Sequence, residues 1–389
     1  MLYKKNTKFS SIGAKRFIAN LALLMAAVVF SLLLFEIYLR VFHPQHALGG
    51  QVYFDNKIGV FRFLPSREFR IKYPEFEYIL KTNSKCLRDY EYPYEKSKDT
   101  LRILVLGDSF TFGHGVEFKY AFVKQLEDAF KNKIPSKSIE VINMGMIEYG
   151  TSDCYKMLVS EGRKYKPDLV IYAFFLNDLN DAFRKLYKPQ NIDPPHSRRN
   201  ISSGSGTGVS RAKKNIFEET YTYHFLLSSF KKISTVRNFL YLSGLSKHNG
   251  PLYYLQPYIK HDYTPDTKRT FGICFDYIDR MASYCKDINS EFLFIYIPDY
   301  FQSYYQTYPD NDKYIYETQY DIDKPQTLLK KFCAGRRIGY IDSTPFLRQE
   351  APAKRLYYDS DQHFTKDGHA VIAKILFNEI LKRDPFNAT

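Results

Sequence analysis

Apolar residues fall into three kinds of pattern along the chain. The first is one long run, Phe17 to Leu39 (FIANLALLMAAVVFSLLLFEIYL), whose centre from Leu21 to Phe35 carries no charge and only Ser31 as a polar group. No polar face interrupts it, so a helix crossing a bilayer once fits better than a buried helix. The second is a weak alternation from His43 to Thr100, as in EFRIKYPEFEYILKTN, which predicts a few short strands and turns with a structural role. In the third, short apolar runs alternate strictly with stretches of helical periodicity. It predicts strands over Ile103–Leu106, Ile139–Met144, Leu169–Phe175, Phe292–Ile297 and Ile338–Ile341. Helices are predicted over about Lys119–Lys131, Ser152–Tyr165, Lys268–Ile288, Lys324–Ala334 and Lys366–Lys382. Strands that are apolar nearly throughout and alternate with helices imply a parallel α/β sheet covered on both faces.

Between the third and fourth of these strands the pattern breaks, from Phe183 to Pro265. Pro194 and Pro195 precede ISSGSGTGVSRAKKN, a Ser/Gly-rich stretch too poor in apolar residues to order by itself. The aromatic stretch from Glu218 to Leu245 then has a helical look. Such a departure is either a lid or substrate platform, or a flexible insertion, and the sequence leaves both open. The expected organisation is a basic cytoplasmic N-terminus (1–16), a transmembrane helix (17–39) and a membrane-proximal lead-in (40–100). An α/β domain (101–382) with its insertion at about 183–265 follows, and then a tail (383–389).

Composition adds limits. With 389 residues, 44% apolar and 17% aromatic, the chain can bury a full core, and no fibrous or wholly disordered class fits. The formal charge is +14, from 56 Lys and Arg against 42 Asp and Glu, but the basic residues are dispersed and form no nucleic-acid motif. That reads as a solvated or membrane-facing surface, with no nucleic-acid partner. Lys4, Lys5, Lys8, Lys15 and Arg16 precede the long apolar run and only Arg40 follows closely. The positive-inside rule then keeps the N-terminus cytoplasmic, giving a single-pass inner-membrane protein whose catalytic part is periplasmic or otherwise extracytoplasmic. A cleaved signal peptide is disfavoured, because the run ends in Glu-Ile-Tyr-Leu-Arg with no small-x-small site. The five cysteines, Cys86, Cys154, Cys274, Cys285 and Cys333, show no CxxC or metal-ligand spacing. Cys274 and Cys285 lie about 16 Å apart on one predicted helix and cannot bridge each other. The odd count leaves at least one thiol free or intermolecular.

In a parallel sheet, reactive groups collect at the carboxyl ends of the strands. The first strand runs into RILVLGDSFTFGHG, a tight turn with Ser109 at its tip. The second offers Gly145 in VINMGMIEYGT, where a bare backbone N–H can approach a ligand. The third offers Asn177 in AFFLNDLND, a neutral amide donor, and the fifth leads to YYDSDQHFTKDGH with Asp361 and His363. A neutral His363 would take the Ser109 proton while Asp361 holds its other nitrogen. The N–H groups of Ser109 and Gly145, with the Asn177 amide, would hold the oxyanion. Threonine at position 111 excludes the GxSxG elbow of α/β-hydrolases.

These segments carry a family resemblance. GDSFTFG, NMGMIEYGT, FLND and DQHFTKDGH resemble, in order, the four blocks of the SGNH (GDSL) hydrolases, over about Thr82 to Lys382. TNSKCLRDYE resembles a TNSxGxRxxE segment ahead of the first block in membrane-anchored bacterial members. The resemblance implies a three-layer α/β/α, flavodoxin-like fold with about five parallel strands, a serine esterase chemistry and no cofactor or metal. The chain departs from the pattern in three places. Phe175 stands where GxND would place glycine, Glu148 occupies a position often held by glycine, and the Asp–His spacing is two, which leaves Asp359 as a rival to Asp361.

Other polar residues have blander readings. His114 and His369 are expected to be structural, and Thr365 to cap the last helix with Asp367 in its first turn. A metal site from Asp108, Asp178, Asp181 and Asp361 is disfavoured, since hard cations need converging carboxylates. The expected function is a serine ester hydrolase that removes O-acyl groups, acetyl foremost, from a cell-envelope carbohydrate or related ester. The alternatives are an O-acyltransferase acting on an exported polysaccharide with the same residues, and a non-catalytic, membrane-anchored glycan-binding protein drawing on 34 Tyr and 32 Phe.

Overall fold

The computed structural model describes residues 8–42, 51–179, 182, 255–307, 320–359 and 361–383. The double proline, the Ser/Gly-rich stretch, the aromatic stretch Glu218–Leu245 and Asp181 lie outside them. By internal contacts the chain forms two units, residues 1–46 with 203–247, and residues 47–202 with 248–389.

In the first unit, one helix runs from Lys8 to Phe42. Its segment Lys15–Tyr38, 24 residues, is long and apolar enough to cross a membrane, about 36 Å of helix against roughly 30 Å of hydrocarbon. Phe17, Leu23, Leu24 and Phe30 stand exposed on it.

The second unit is built on a five-stranded sheet in the order β6-β5-β7-β8-β9, every pairing parallel. The strands are β5 (Thr100–Gly107), β6 (Ser138–Asn143), β7 (Leu169–Phe175), β8 (Glu291–Ile297) and β9 (Gly339–Asp342). Alternate side chains feed two cores. Leu104, Leu106, Tyr172 and Phe294 face the helices Thr151–Ser160, Pro265–Asp287 and Lys324–Arg336. Ile103, Val105, Ile171 and Ile295 face Phe122–Lys133, Thr344–Glu350 and Lys366–Lys382. This three-layer arrangement is the fold implied by the SGNH resemblance. Its strand order is the flavodoxin one, which reverses direction between β5 and β7, and the crevice beyond the carboxyl ends of those two strands is where such folds place their sites.

The helix Pro265–Asp287 begins three residues before its predicted start, because Thr264 accepts the Thr267 N–H and Pro265 sits at the first helical position. Thr365 caps the last helix by accepting from the N–H groups of Asp367 and Gly368. The short helices Tyr300–Tyr304 and Thr344–Glu350 add to the predicted set, being too brief to show a period in the sequence. No disulfide joins the five cysteines among the described residues, and burial pushes the Cys285 and Cys333 thiols up to about 12.

The lead-in forms two antiparallel hairpins, β1 (Val52–Asp55) with β2 (Val60–Phe63), and β3 (Glu68–Lys72) with β4 (Glu77–Lys81). Val60, Phe63, Ile71, Tyr78 and Leu80 are buried in the first core, so the two hairpins are part of the α/β unit. A buried polar set ties it in further. The Lys124 ammonium donates to Asp89 Oδ1 (2.7 Å), Glu127 Oε2 (2.8 Å) and the Val141 carbonyl (2.6 Å), while the Tyr92 hydroxyl donates to Glu127 (2.7 Å). Loss of one partner from such a set would leave a buried charge uncompensated, at a cost of about 3–5 kcal/mol.

Candidate active site

β5 ends at Gly107, where an added Cβ would lie 2.2 Å from Thr111 Oγ1 and 2.8 Å from the Ala173 carbonyl. Only glycine lets the chain turn so close to β7. The Asp108 carboxylate then accepts the Phe110 N–H at 2.9 Å, starting a buried turn of helix, Ser109–Phe112. Gly113, at φ +81°, closes it with its N–H on the Ser109 and Phe110 carbonyls. Ser109 is thus fixed on a rigid turn at the end of the strand.

Arg88 supports this turn from below. Its guanidinium is fully buried and donates to the carbonyls of Phe112 (3.1 Å), Gly113 (2.6 Å) and Val116 (2.7 Å), with Tyr78 and Phe112 rings against its face. Burial lowers its pKa to about 10, so it remains charged at neutral pH. Arg88 is the arginine of TNSKCLRDYE, visible in the sequence as a motif position but not as the support of the serine turn.

His363 arrives from the loop before the last helix. Gln362 adopts a left-handed φ of +64°, and the Tyr358 N–H donates to the His363 carbonyl at 2.9 Å. The ring then lies with Nε2 2.7 Å from Ser109 Oγ and Nδ1 2.6 Å from Asp361 Oδ1. Asp359, the rival, is 68% exposed and pairs with Arg355 at 2.7 Å, whereas Asp361 is 21% exposed and reaches the histidine. Burial works against the His363 imidazolium, but the hydrogen bond and charge of Asp361 outweigh it and hold the His363 pKa above its ordinary value. Asp361 is likewise penalised by burial, yet its bond to His363 draws its pKa below the usual carboxylate range.

At the expected oxyanion site the Gly145 N–H is donated to Asn143 Oδ1 at 2.9 Å, an Asx-type turn. Gly145 also permits close packing, since a Cβ there would lie 2.4 Å from the Phe112 nitrogen and 2.6 Å from Thr111 Cβ. Asn143, two residues ahead, is the sequence signal for this. Asn177 follows β7, and its side chain lies against Asp108, the neighbour of Ser109. Glu148, at the position where the family pattern often has glycine, adopts φ +66°, a left-handed backbone that glycine takes freely.

The remaining titratable groups have defined places. His114 is buried against His363, ring centroids 4.7 Å apart, with Nδ1 2.9 Å from the Tyr78 hydroxyl. Burial and the charge of His363 push its pKa down to about 3, so it is neutral. His369 lies on the last helix, accepts the Phe122 N–H at Nδ1 and is also held near 3 by burial. Asp178 accepts from the Tyr172 hydroxyl and the Phe175 N–H. Among the described residues, the set spaced closely enough to hold a metal ion is His114, Asp361 and His363, with ligand atoms within 4.8 Å. Both nitrogens of His363 and Nδ1 of His114 already have hydrogen-bond partners, so the set suits proton handling better than metal binding.

No protein-family model matches the chain, and no curated protein matches it. Several solved structures resemble it distantly. TesA is 12% identical, with 73% of this chain and 99% of that one covered and a TM-score of 0.39. A catalytic mutant of Axe2, an acetylxylan esterase from Geobacillus stearothermophilus, is 13% identical, covering 72% and 94% with a TM-score of 0.39. A G-D-S-L family lipolytic protein from Desulfitobacterium hafniense is 12% identical, covering 71% and 98% with a TM-score of 0.37. At this distance the chemistry of the site stands on its own distances.

Proposed function

We propose that the protein is a serine ester hydrolase that removes O-acyl groups, acetyl foremost, from a cell-envelope carbohydrate or related ester. The observation that carries this is the continuous line Ser109 Oγ, His363, Asp361, with contacts of 2.7 and 2.6 Å. His363 Nε2 takes the hydroxyl proton as Ser109 Oγ attacks the acyl carbon, and Asp361 stabilises the imidazolium that forms. The same proton then passes to the departing alkoxide, leaving an acyl-Ser109, which water cleaves by the reverse sequence. The N–H groups of Ser109 and Gly145 and the Asn177 amide are the proposed donors to the oxyanion. The apolar helix Lys15–Tyr38, preceded by its basic cluster, supports an anchored enzyme with its catalytic unit outside the cytoplasm.

The test is covalent. A fluorophosphonate probe added to the full chain in detergent is expected to label one serine, mapped by peptide mass to Ser109. Failure of Ser109 to react, with the protein folded, would sink the proposal and favour a non-catalytic binding role. With acetylated oligosaccharide present, release of acetate to water supports hydrolysis, and transfer to a second sugar would revise it to acyl transfer.

The pH dependence follows from the base. His363 must be neutral to accept the proton, and Asp361 raises its pKa above 6.5. Activity is therefore lost as pH falls through that raised value, and the acidic limb of kcat/KM should lie above pH 6.5. A limb at or below 6.5 would contradict the pairing.

A further inference from the structure

We propose that Glu75, at the tip of the β3–β4 hairpin in the lead-in, is a positioning residue for the catalytic aspartate. This rests on the serine-esterase reading of the site. The Glu75 carboxylate spans the loop that carries the triad acid. Its Oε2 accepts the Asp361 N–H at 2.9 Å, and its Oε1 accepts the Asp359 N–H at 3.0 Å. Oε1 also takes the Arg355 guanidinium at 2.9 Å, and Arg355 in turn holds the Asp359 carboxylate at 2.7 Å.

A loop outside any ladder must find acceptors for its backbone donors. Here two of them, bracketing position 360, converge on a single anion, and charge-assisted bonds of this length are the strong kind. The residue they fix in place is the one whose Oδ1 meets His363 at 2.6 Å. A shift of about 1 Å at such a partner can cost about 100-fold in rate.

The rest of the hairpin locks Glu75 to the site. Phe76 packs on Tyr358 and His114, with centroids 4.8 and 5.1 Å apart. The Tyr78 hydroxyl meets His114 Nδ1, and the other nitrogen of His114 faces Asp361 Oδ2 at 3.9 Å. At the base of the hairpin the Ile79 N–H donates to Glu117 at 3.0 Å, in the segment that follows the serine turn. The β3–β4 hairpin is thus a working part of the catalytic unit, beyond the structural role expected from its sequence.

Charged and titratable groups surround the pair on every side. His363 faces Asp361, Asp108 and His114, and Asp361 faces His363, His114, Tyr78 and Tyr358. With Glu75 removed, Asp361 loses its fixed position and His363 loses the support that raises its pKa.

The experiment compares Glu75→Ala and Glu75→Gln in the full chain, with the wild type first shown to react through Ser109. Glu75→Ala is expected to lower kcat by about 10- to 100-fold with KM nearly unchanged. The acidic limb should move down toward pH 6.5, and Glu75→Gln, which keeps one acceptor oxygen, should fall between. His363 titration followed by NMR reports the same displacement without turnover, so it decides the matter even for a wild type inactive on the esters tried. If both variants melt like the wild type and leave kcat, the limb and the His363 titration unchanged, the proposal is overturned. A wild type whose Ser109 never reacts overturns the esterase reading instead.

Discussion

Ser109→Ala is expected to lower kcat/KM toward an activated acetyl ester by about 10⁴-fold or more while leaving the fold intact. The loss is large because one atom has three roles. Ser109 Oγ is the nucleophile, the partner of His363 Nε2 at 2.7 Å, and the start of the line that ends at Asp361. Without it, His363 has no hydroxyl to activate, and the acyl-enzyme route is closed. What remains is substrate binding and any stabilisation of charge by the Asn177 amide. The fold should tolerate the change, because the turn is held by other groups: the Asp108 cap, the Gly113 closure and the Arg88 guanidinium on three carbonyls. The measurement is steady-state hydrolysis beside thermal melts of both proteins. Retention of more than a tenth of the activity with an unchanged melt would remove Ser109 from the mechanism.

How much of the molecule is legible in its sequence depends on sequence separation. The strands of the sheet are legible because a doubly covered parallel strand is an unbroken apolar run, as in Leu169–Phe175, whose limits match the structure. Ser109 and Asn177 lie just beyond such runs, and Asp361 and His363 come after the short helix Thr344–Glu350 and a loop, just ahead of the last helix. Around Gly145, spacing shows that a glycine is present but not that Asn143 folds back to take its N–H. Glu75 is invisible for a different reason. Its contact with Asp361 spans 286 positions, and nothing local marks one acidic residue in YPEFEY as facing a loop from the other end of the chain. Arg88 falls between these cases, present as a motif position but with a role that emerges only when the turn it supports is in place.

Asp361→Asn should abolish activity almost as fully as loss of the serine, and Asp359→Asn should not. An asparagine at 361 can keep the shape of the contact but can donate its own N–H to His363 Nδ1. The proton of the neutral ring then sits on Nε2, the atom that must accept from Ser109, and the base is in the wrong tautomer. The uncharged amide also fails to stabilise the imidazolium, for a combined loss of about 10⁴-fold in kcat. The pH profile should change with it. The carboxylate is what lifts the His363 pKa, so its removal shifts the titration down toward or below 6.5, where burial takes it. Asp359 is largely exposed and meets Arg355 at the surface, where an ion pair contributes about 1 kcal/mol or less, and its backbone N–H on Glu75 survives the substitution. Asp359→Asn should therefore stay within about threefold of the wild type, a change of under 1 kcal/mol in the barrier. Two aspartates two residues apart would then differ by three orders of magnitude or more. A reversed result would mean that the loop rearranges when substrate binds, bringing Asp359 onto His363 and releasing Asp361 from Glu75.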